Sequence, residues 1–76
     1  MSNRTNIENI EELINLFEKY GSLLTQTQKQ AFQLYFFEDL SYQEIADETA
    51  TTRAAAYDSV SKAIKKLQKI AAKLNN

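Results

Sequence analysis

Three stretches of this chain repeat one arrangement, a hydroxyl residue followed three positions later by Glu or Gln: Thr5-Asn6-Ile7-Glu8, Thr25-Gln26-Thr27-Gln28 and Ser41-Tyr42-Gln43-Glu44. In such a capping box the hydroxyl accepts a hydrogen bond from the N–H three residues on, and the Glu or Gln side chain reaches back to the first residue's own N–H. Each box therefore marks a helix start. Little between them would stop a helix, because the chain has one glycine, no proline and few β-branched runs. The expected fold class is all-α, a four-helix domain with helices over about 7–20, 26–37, 42–48 and 53–74.

The first helix carries Ile7, Ile10, Leu13, Ile14, Phe17 and Tyr20 on one stripe, and Gly21 is placed to supply a left-handed stop. The second crowds Phe32, Tyr35, Phe36 and Phe37 into six residues, too close for all four rings to face the same way. Within LYFFEDL the rings read as core at a helix junction, with an exposed Tyr35 or Tyr42 as a partner contact the other reading. The short third helix buries Ile45 and Ala46, and Thr52 caps the fourth. That long C-terminal helix is two-faced: Ala56, Val60, Ala63, Leu67, Ile70 and Leu74 form a heptad-like seam, with Ile64 and Ala71 beside it. At about 100° per residue, Lys62, Lys65, Lys66, Lys69 and Lys73 gather on the opposite side. Its early part is expected to pack on the second and third helices; its later part either folds back on the first or pairs with a second copy, so a homodimer through helix 1 or helix 4 stays open. No repeat, low-complexity tract or linker divides the chain, which reads as a single helix-turn-helix domain over 1–76 with residues 1–5 a flexible start.

A domain of 76 residues hides only about 60% of the surface that its unfolded chain exposes. It has no cysteine for disulfides or thiolate metal sites and no histidine, the commonest general base and metal ligand. The adjacent carboxylates Glu11-Glu12, Glu38-Asp39 and Asp47-Glu48 diverge by about 100° on a helix and imply no pocket for acid–base work. Catalysis, a cofactor and a metal site are not expected. No apolar run approaches the roughly 20 residues that span a bilayer, so membrane insertion is not expected, and MSNRTN lacks a signal peptide's layout. The cytoplasm is the expected compartment.

The net charge of −1 hides an asymmetry. Residues 1–48 carry Arg4, Lys19 and Lys29 against nine carboxylates, a balance of −6, whereas residues 49–76 carry six cations against Asp58 alone, a balance of +5. The basic end can lie on phosphate, on an acidic protein surface or against the chain's own acidic half.

Ala46, Ala50 and Ala56 fall where a helix-turn-helix places its close-crossing, turn and core residues. The departures matter as much. Ala50 stands at a turn that often needs positive φ, which costs alanine on the order of 1 kcal/mol. Thr49 and Thr51 replace the usual aliphatic side chains and Ala56 is small for its core contact, so the motif should be poorly packed and braced by the aromatics of the second helix. The N-terminal residues of the second motif helix would enter a major groove. Here they are Arg53, Ala54, Ala55, Tyr57 and Asp58, with Ser61 and Lys62 one turn on. Only Arg53 has the bidentate guanidinium that reads guanine, Ala54 and Ala55 offer at most a methyl contact to thymine, and Asp58 has the wrong sign for phosphate. Sequence reading by a monomer is not expected, but Arg53, Lys62, Lys65, Lys66 and Lys69 can hold a phosphate backbone. Arg53 has a second reading, a helix-start salt bridge with Glu44 or Asp47, and the lysine face a second one as solvated surface. Tyr57 and Asp58 fit a structural or protein-contact pair better than base readers.

The run LTQTQKQAFQLYFFEDLSYQEIADETATTRAAAYDSVSKAIKKL resembles region 4 of bacterial sigma factors, whose helix-turn-helix binds promoters. It resembles still more the YlxM family of small helix-turn-helix proteins encoded beside signal recognition particle genes. The residues carrying that resemblance are Leu16-Phe17, Tyr20, Leu23-Leu24-Thr25 and Gln28, then Leu34-Tyr35-Phe36 with Glu38-Asp39, Ser41 and Glu44-Ile45-Ala46, then Thr52-Arg53, Ala55, Tyr57-Asp58 and Val60. Tyr57-Asp58 is the most telling pair, since sigma region 4 tends to be basic there. The resemblance implies a bacterial cytoplasmic accessory or regulator of the signal recognition particle pathway, contacting that particle's protein or RNA; the alternative is a DNA-binding transcriptional regulator acting as a dimer. Thr49, Ala50 and Thr51 depart from the family's turn, and an earlier end than many members puts dimerisation through a further C-terminal helix in doubt.

Overall fold

The structure, a computed structural model, describes residues 7–74, with side chains from Ile10 onward. The expected flexible start at 1–5, the Thr5–Glu8 box and the side chain of Ile7 lie outside the described residues. Four α-helices follow in order, α1 (Ile7–Tyr20), α2 (Gln26–Phe36), α3 (Tyr42–Thr49) and α4 (Arg53–Leu74), with a 3-10 helix at Gly21–Leu23 after α1. Among the described residues there is no strand, and the fold is all-α.

The two described capping boxes close as the sequence predicts. The Gln28 N–H donates to Thr25 Oγ1 at 3.2 Å and the Thr25 N–H to Gln28 Oε1 at 3.1 Å. The Glu44 N–H donates to Ser41 Oγ at 3.2 Å and the Ser41 N–H to Glu44 Oε1 at 2.9 Å. Thr52 supplies half a box to α4, accepting from the Ala55 N–H at 3.1 Å, because Ala55 has no side chain to reach back.

The helix ends are less predictable. Gly21 is no left-handed stop, since no described glycine has positive φ. It is buried, and a Cβ on it would meet the Phe17 ring at 3.3–3.5 Å, so the residue gives that ring room while the chain turns through the 3-10 helix. The second helix ends at Phe36, one residue short of the expected limit, with Asp39 left-handed at φ 58° and the Leu40 N–H returning to the Leu34 carbonyl at 3.1 Å. Asp is among the few residues other than glycine that take this conformation readily. The third helix runs one residue past its expected limit, to Thr49, and Ala50 does take the strained left-handed conformation, φ 55° and ψ 44°. The Thr51 N–H then closes back on the Ala46 carbonyl at 2.9 Å, the six-to-one bond of a Schellman end.

Two clusters share the interior. Leu13, Phe17, Leu24, Phe32, Ala63 and Leu67 join α1, α2 and the middle of α4. Ala31, Ile45, Ala46, Ala56 and Val60 join α2, α3 and the start of α4. Half-buried Phe36 and Ile64 touch both. The later part of α4 therefore folds back on α1, as the first of its two sequence readings has it. Phe32 stacks on Phe17 with ring centres 4.5 Å apart and planes 4° from parallel.

Ala56 is buried, and beside this small residue lies a 130 Å³ cleft lined by Thr49, Thr51, Ile45 and Ser59 among others. The threonines there are satisfied rather than orphaned. The Thr49 hydroxyl donates to the Ile45 carbonyl at 2.7 Å, so Thr51, 2.9 Å away, is left to donate to Thr49.

Relieving the left-handed alanine is the direct test of this turn. Ala50→Gly is expected to stabilise the fold by about 1 kcal/mol, a rise of about 4–8 °C in Tm for a domain of this size. A thermal melt by circular dichroism measures it; an unchanged or lowered Tm would show that the turn is not strained.

Candidate nucleic-acid interface

The end of α3, the Ala50 turn and the Thr52 cap set the start of α4 at the surface, and the buried seam of α4 decides which of its residues face outward. Ala56, Val60, Ala63 and Leu67 point inward. Arg53, Ala54, Tyr57, Asp58, Lys62, Lys65, Lys66 and Lys69 are exposed, and Ser61 is half-buried. The structure thus puts all nine sequence-predicted contact residues on the outer side of one helix.

The charges on that side are not equivalent. Asp58 and Lys62 pair at 3.0 Å, one turn apart and both exposed, an arrangement worth at most about 1 kcal/mol. Energetically slight, the pair still neutralises the one carboxylate on α4. Arg53 and the other lysines of α4 have no ion pair among the described residues. The alternative salt bridge for Arg53 is not formed: Glu44 Oε1 is engaged by the Ser41 N–H, and Asp47 accepts from Gln43 Nε2 at 3.1 Å.

An aromatic chain ends on the same helix. From Phe17 and Phe32 it passes through Phe36 to Tyr35, which stacks on Tyr42 with centres 5.0 Å apart and planes 5° from parallel. Tyr42 meets Tyr57 edge to face at 5.2 Å and 81°. Tyr35 and Tyr42 are half-buried, so neither is the freely exposed contact that was the second reading of LYFFEDL, whereas Tyr57 is 56% exposed. The Tyr42 support under Tyr57 is invisible in sequence because the two lie 15 positions apart. Lys73, outside the expected phosphate set, stands four residues beyond Lys69 on the same exposed row; that spacing was its signal.

Helix α3 has the opposite character. Glu44, Asp47 and Glu48 are exposed and α3 contains no cation. Hydrogen bonds from the Ser41 N–H, and then from the Ser41 hydroxyl, hold the Glu44 carboxyl below its ordinary titration range.

Two capped helices joined by a tight left-handed turn, the second with its N-terminal residues exposed, define a helix-turn-helix protein. The chain belongs to the UPF0122 family, described as "Putative helix-turn-helix protein, YlxM / p13 like", whose profile matches residues 7–75. UPF0122 proteins of Mycoplasma mycoides and Mycoplasma capricolum subsp. capricolum are each 49% identical over 69 residues, which is 91% of this chain and 61% of theirs. A UPF0122 protein of Streptococcus pyogenes is 38% identical over 73 residues, 96% of this chain and 65% of its own. The chain thus spans about three fifths of the length of the Mycoplasma relatives it matches. No solved structure matches it. No helix among the described residues is long and apolar enough to cross a membrane.

The Glu44 cap gives a pH dependence with a definite sign. A carboxyl whose folded value is depressed stabilises the fold fully above its ordinary titration range, and the contribution is lost as pH falls through the folded value. Glu44→Gln keeps the acceptor but cannot titrate. Its Tm is expected to fall less than that of the parent as melts are taken from neutral pH to below the usual glutamate range; parallel acid limbs would assign the acid sensitivity to other groups.

Proposed function

We propose that the chain is a non-enzymatic accessory or regulatory protein that binds an RNA-bearing partner through α4 instead of reading a DNA duplex, and that the partner is the signal recognition particle. The pathway is what the resemblance to the YlxM family implies. The surface is what the chain itself supplies, and one observation carries the reading: the two helices of the motif have opposite charge.

When a helix-turn-helix docks on duplex DNA, its first helix crosses the phosphate backbone while the second lies in the major groove. Here the first helix would bring Glu44, Asp47 and Glu48 to that backbone with no cation to offset them. The groove-facing start of the second offers Ala54 and Ala55 between Arg53 and an Asp58 already engaged by Lys62. A duplex is repelled at one helix and hardly read at the other. A ligand that touches α4 alone meets Arg53, Lys65, Lys66, Lys69 and Lys73 and none of the acidic face. The lack of histidine and cysteine leaves little for catalysis to use.

Immobilised full chain, offered the particle's RNA and its protein separately at about 0.15 M salt, is expected to retain the RNA, and retention should fall steeply as salt rises. Replacing Arg53 and Lys62 together by Ala should weaken it, and Asp58→Asn should strengthen it by releasing Lys62. Retention of neither component would refute the assignment. A shifted duplex of defined sequence, with a dimer mass by light scattering, would replace it by the transcriptional-regulator reading.

A further inference from the structure

Four of the six cations of α4 fall on one row of its outer face. Arg53, Tyr57, Ser61, Lys65, Lys69 and Lys73 follow at intervals of four, so they form one ridge along the helix that advances about 6 Å and turns about 40° at each step. Every member except half-buried Ser61 is exposed. The ridge is about 30 Å long, the length of about nine stacked nucleotides at 3.4 Å each. The Asp58–Lys62 pair lies on the neighbouring ridge, so the one acidic side chain of α4 is held off this row.

Near one end of the row stands an aromatic ring that is both exposed and braced. Beside its perpendicular contact with Tyr42, Tyr57 stays 56% exposed. No other ring contact and no hydrogen bond engages Tyr57 among the described residues. Tyr42 is itself stacked on Tyr35, so the platform rests on α2 and α3 and not on a loose side chain. A group held this way loses little freedom on binding.

The geometry points to a single-strand site in which an unpaired RNA base stacks on Tyr57 while the strand's phosphates lie along Arg53, Lys65, Lys69 and Lys73. This deepens the reading above and rests on it. Aromatic faces with a row of cations are what single-stranded nucleic acid requires, since every base offers a π-face and the backbone supplies regular charge. A protein partner would account for Tyr57 and Arg53 but not for the lysines, which are depleted at protein interfaces. RNA is the strand that presents unpaired bases as loops and bulges, and proteins read these by stacking.

The probe is a labelled oligouridylate of about nine nucleotides, compared by fluorescence anisotropy with a blunt RNA duplex of the same length, both against the full chain. The single strand should bind more tightly, and Tyr57→Ala should weaken it about 5- to 150-fold, the loss of one stacked base. Tyr57→Phe should bind like the parent, and Lys65→Gln with Lys69→Gln should lower the salt slope by about 0.7 per cation. Should Tyr57→Ala lose helicity, Tyr57→Leu, which keeps apolar bulk without a ring, must show the same weakening. Unchanged binding by the folded Tyr57 variants, or a duplex bound as tightly as the strand, would overturn the site while leaving the α4 face as an RNA contact. Binding of neither RNA would refute both the site and the RNA-binding role of α4.

Discussion

Phe32 is fully buried in the cluster where α1, α2 and α4 meet, its ring stacked on Phe17 and 4.5 Å from Phe36. A chain this short has little other means of fixing α1, which sends Leu13 and Phe17 into that cluster and has none of its described residues in the second one. Phenylalanine-to-alanine changes in cores cost about 3–5 kcal/mol, a large share of the 5–15 kcal/mol that holds an ordinary domain together. The neighbouring residues leave room for the stacked pair. Gly21 has no side chain where a Cβ would crowd Phe17, and Ala63 is small and fully buried in the same cluster.

The outer face of α4 follows from that core. One helix serves both clusters, with Ala63 and Leu67 in the first and Ala56 and Val60 in the second. Its seam is thus committed from Ala56 to Leu67, and the described residues on the side opposite, Ser61 apart, are exposed. Lysines fit such a side because they stay solvated. The same commitment holds the helix that carries the row from Arg53 to Lys73, so its charges follow at fixed intervals along a path that winds round the outer face. Tyr57 sits at the margin of seam and face, which lets it lean on Tyr42 and remain 56% exposed.

Most of the architecture was legible because it is local. Capping boxes at Thr25 and Ser41, the Thr52 cap and the spacing of Val60, Ala63 and Leu67 involve residues at most four apart, and such chemistry survives without tertiary context. The positive φ of Ala50 was legible too, from the spacing of the motif. What escaped was tertiary or ambiguous. A glycine after a helix serves equally as a left-handed stop or as room for a ring, and only the position of Phe17 decides between them. Asp39 gave no sign of being the left-handed residue. At the candidate site, periodicity placed Arg53 and the lysines on an outer face, but the Asp58–Lys62 pairing and the Tyr35–Tyr42–Tyr57 stack depend on rotamers and on α2 and α3 coming together.

In the proposed reading, the division of charge between the two helices of the motif explains how the scaffold is kept while duplex reading is given up. Fold and groove reading draw on different residues: Ile45, Ala46, Ala50, Ala56 and Val60 hold the crossing, whereas reading depends on side chains that point away from it. In that reading, alanines at 54 and 55 and acids on α3 weaken groove reading while the residues of the crossing stay as they are. At physiological salt the Debye length is about 8 Å, so a duplex wide enough to touch both helices feels the carboxylates of Glu44, Asp47 and Glu48, while a strand confined to the α4 ridge is better screened from them. The role this reading gives the acidic helix is that of a filter on ligand width. It disfavours the broad polyanion by repulsion and leaves the narrow one to the cations and ring of α4, which specificity by repulsion as well as attraction requires.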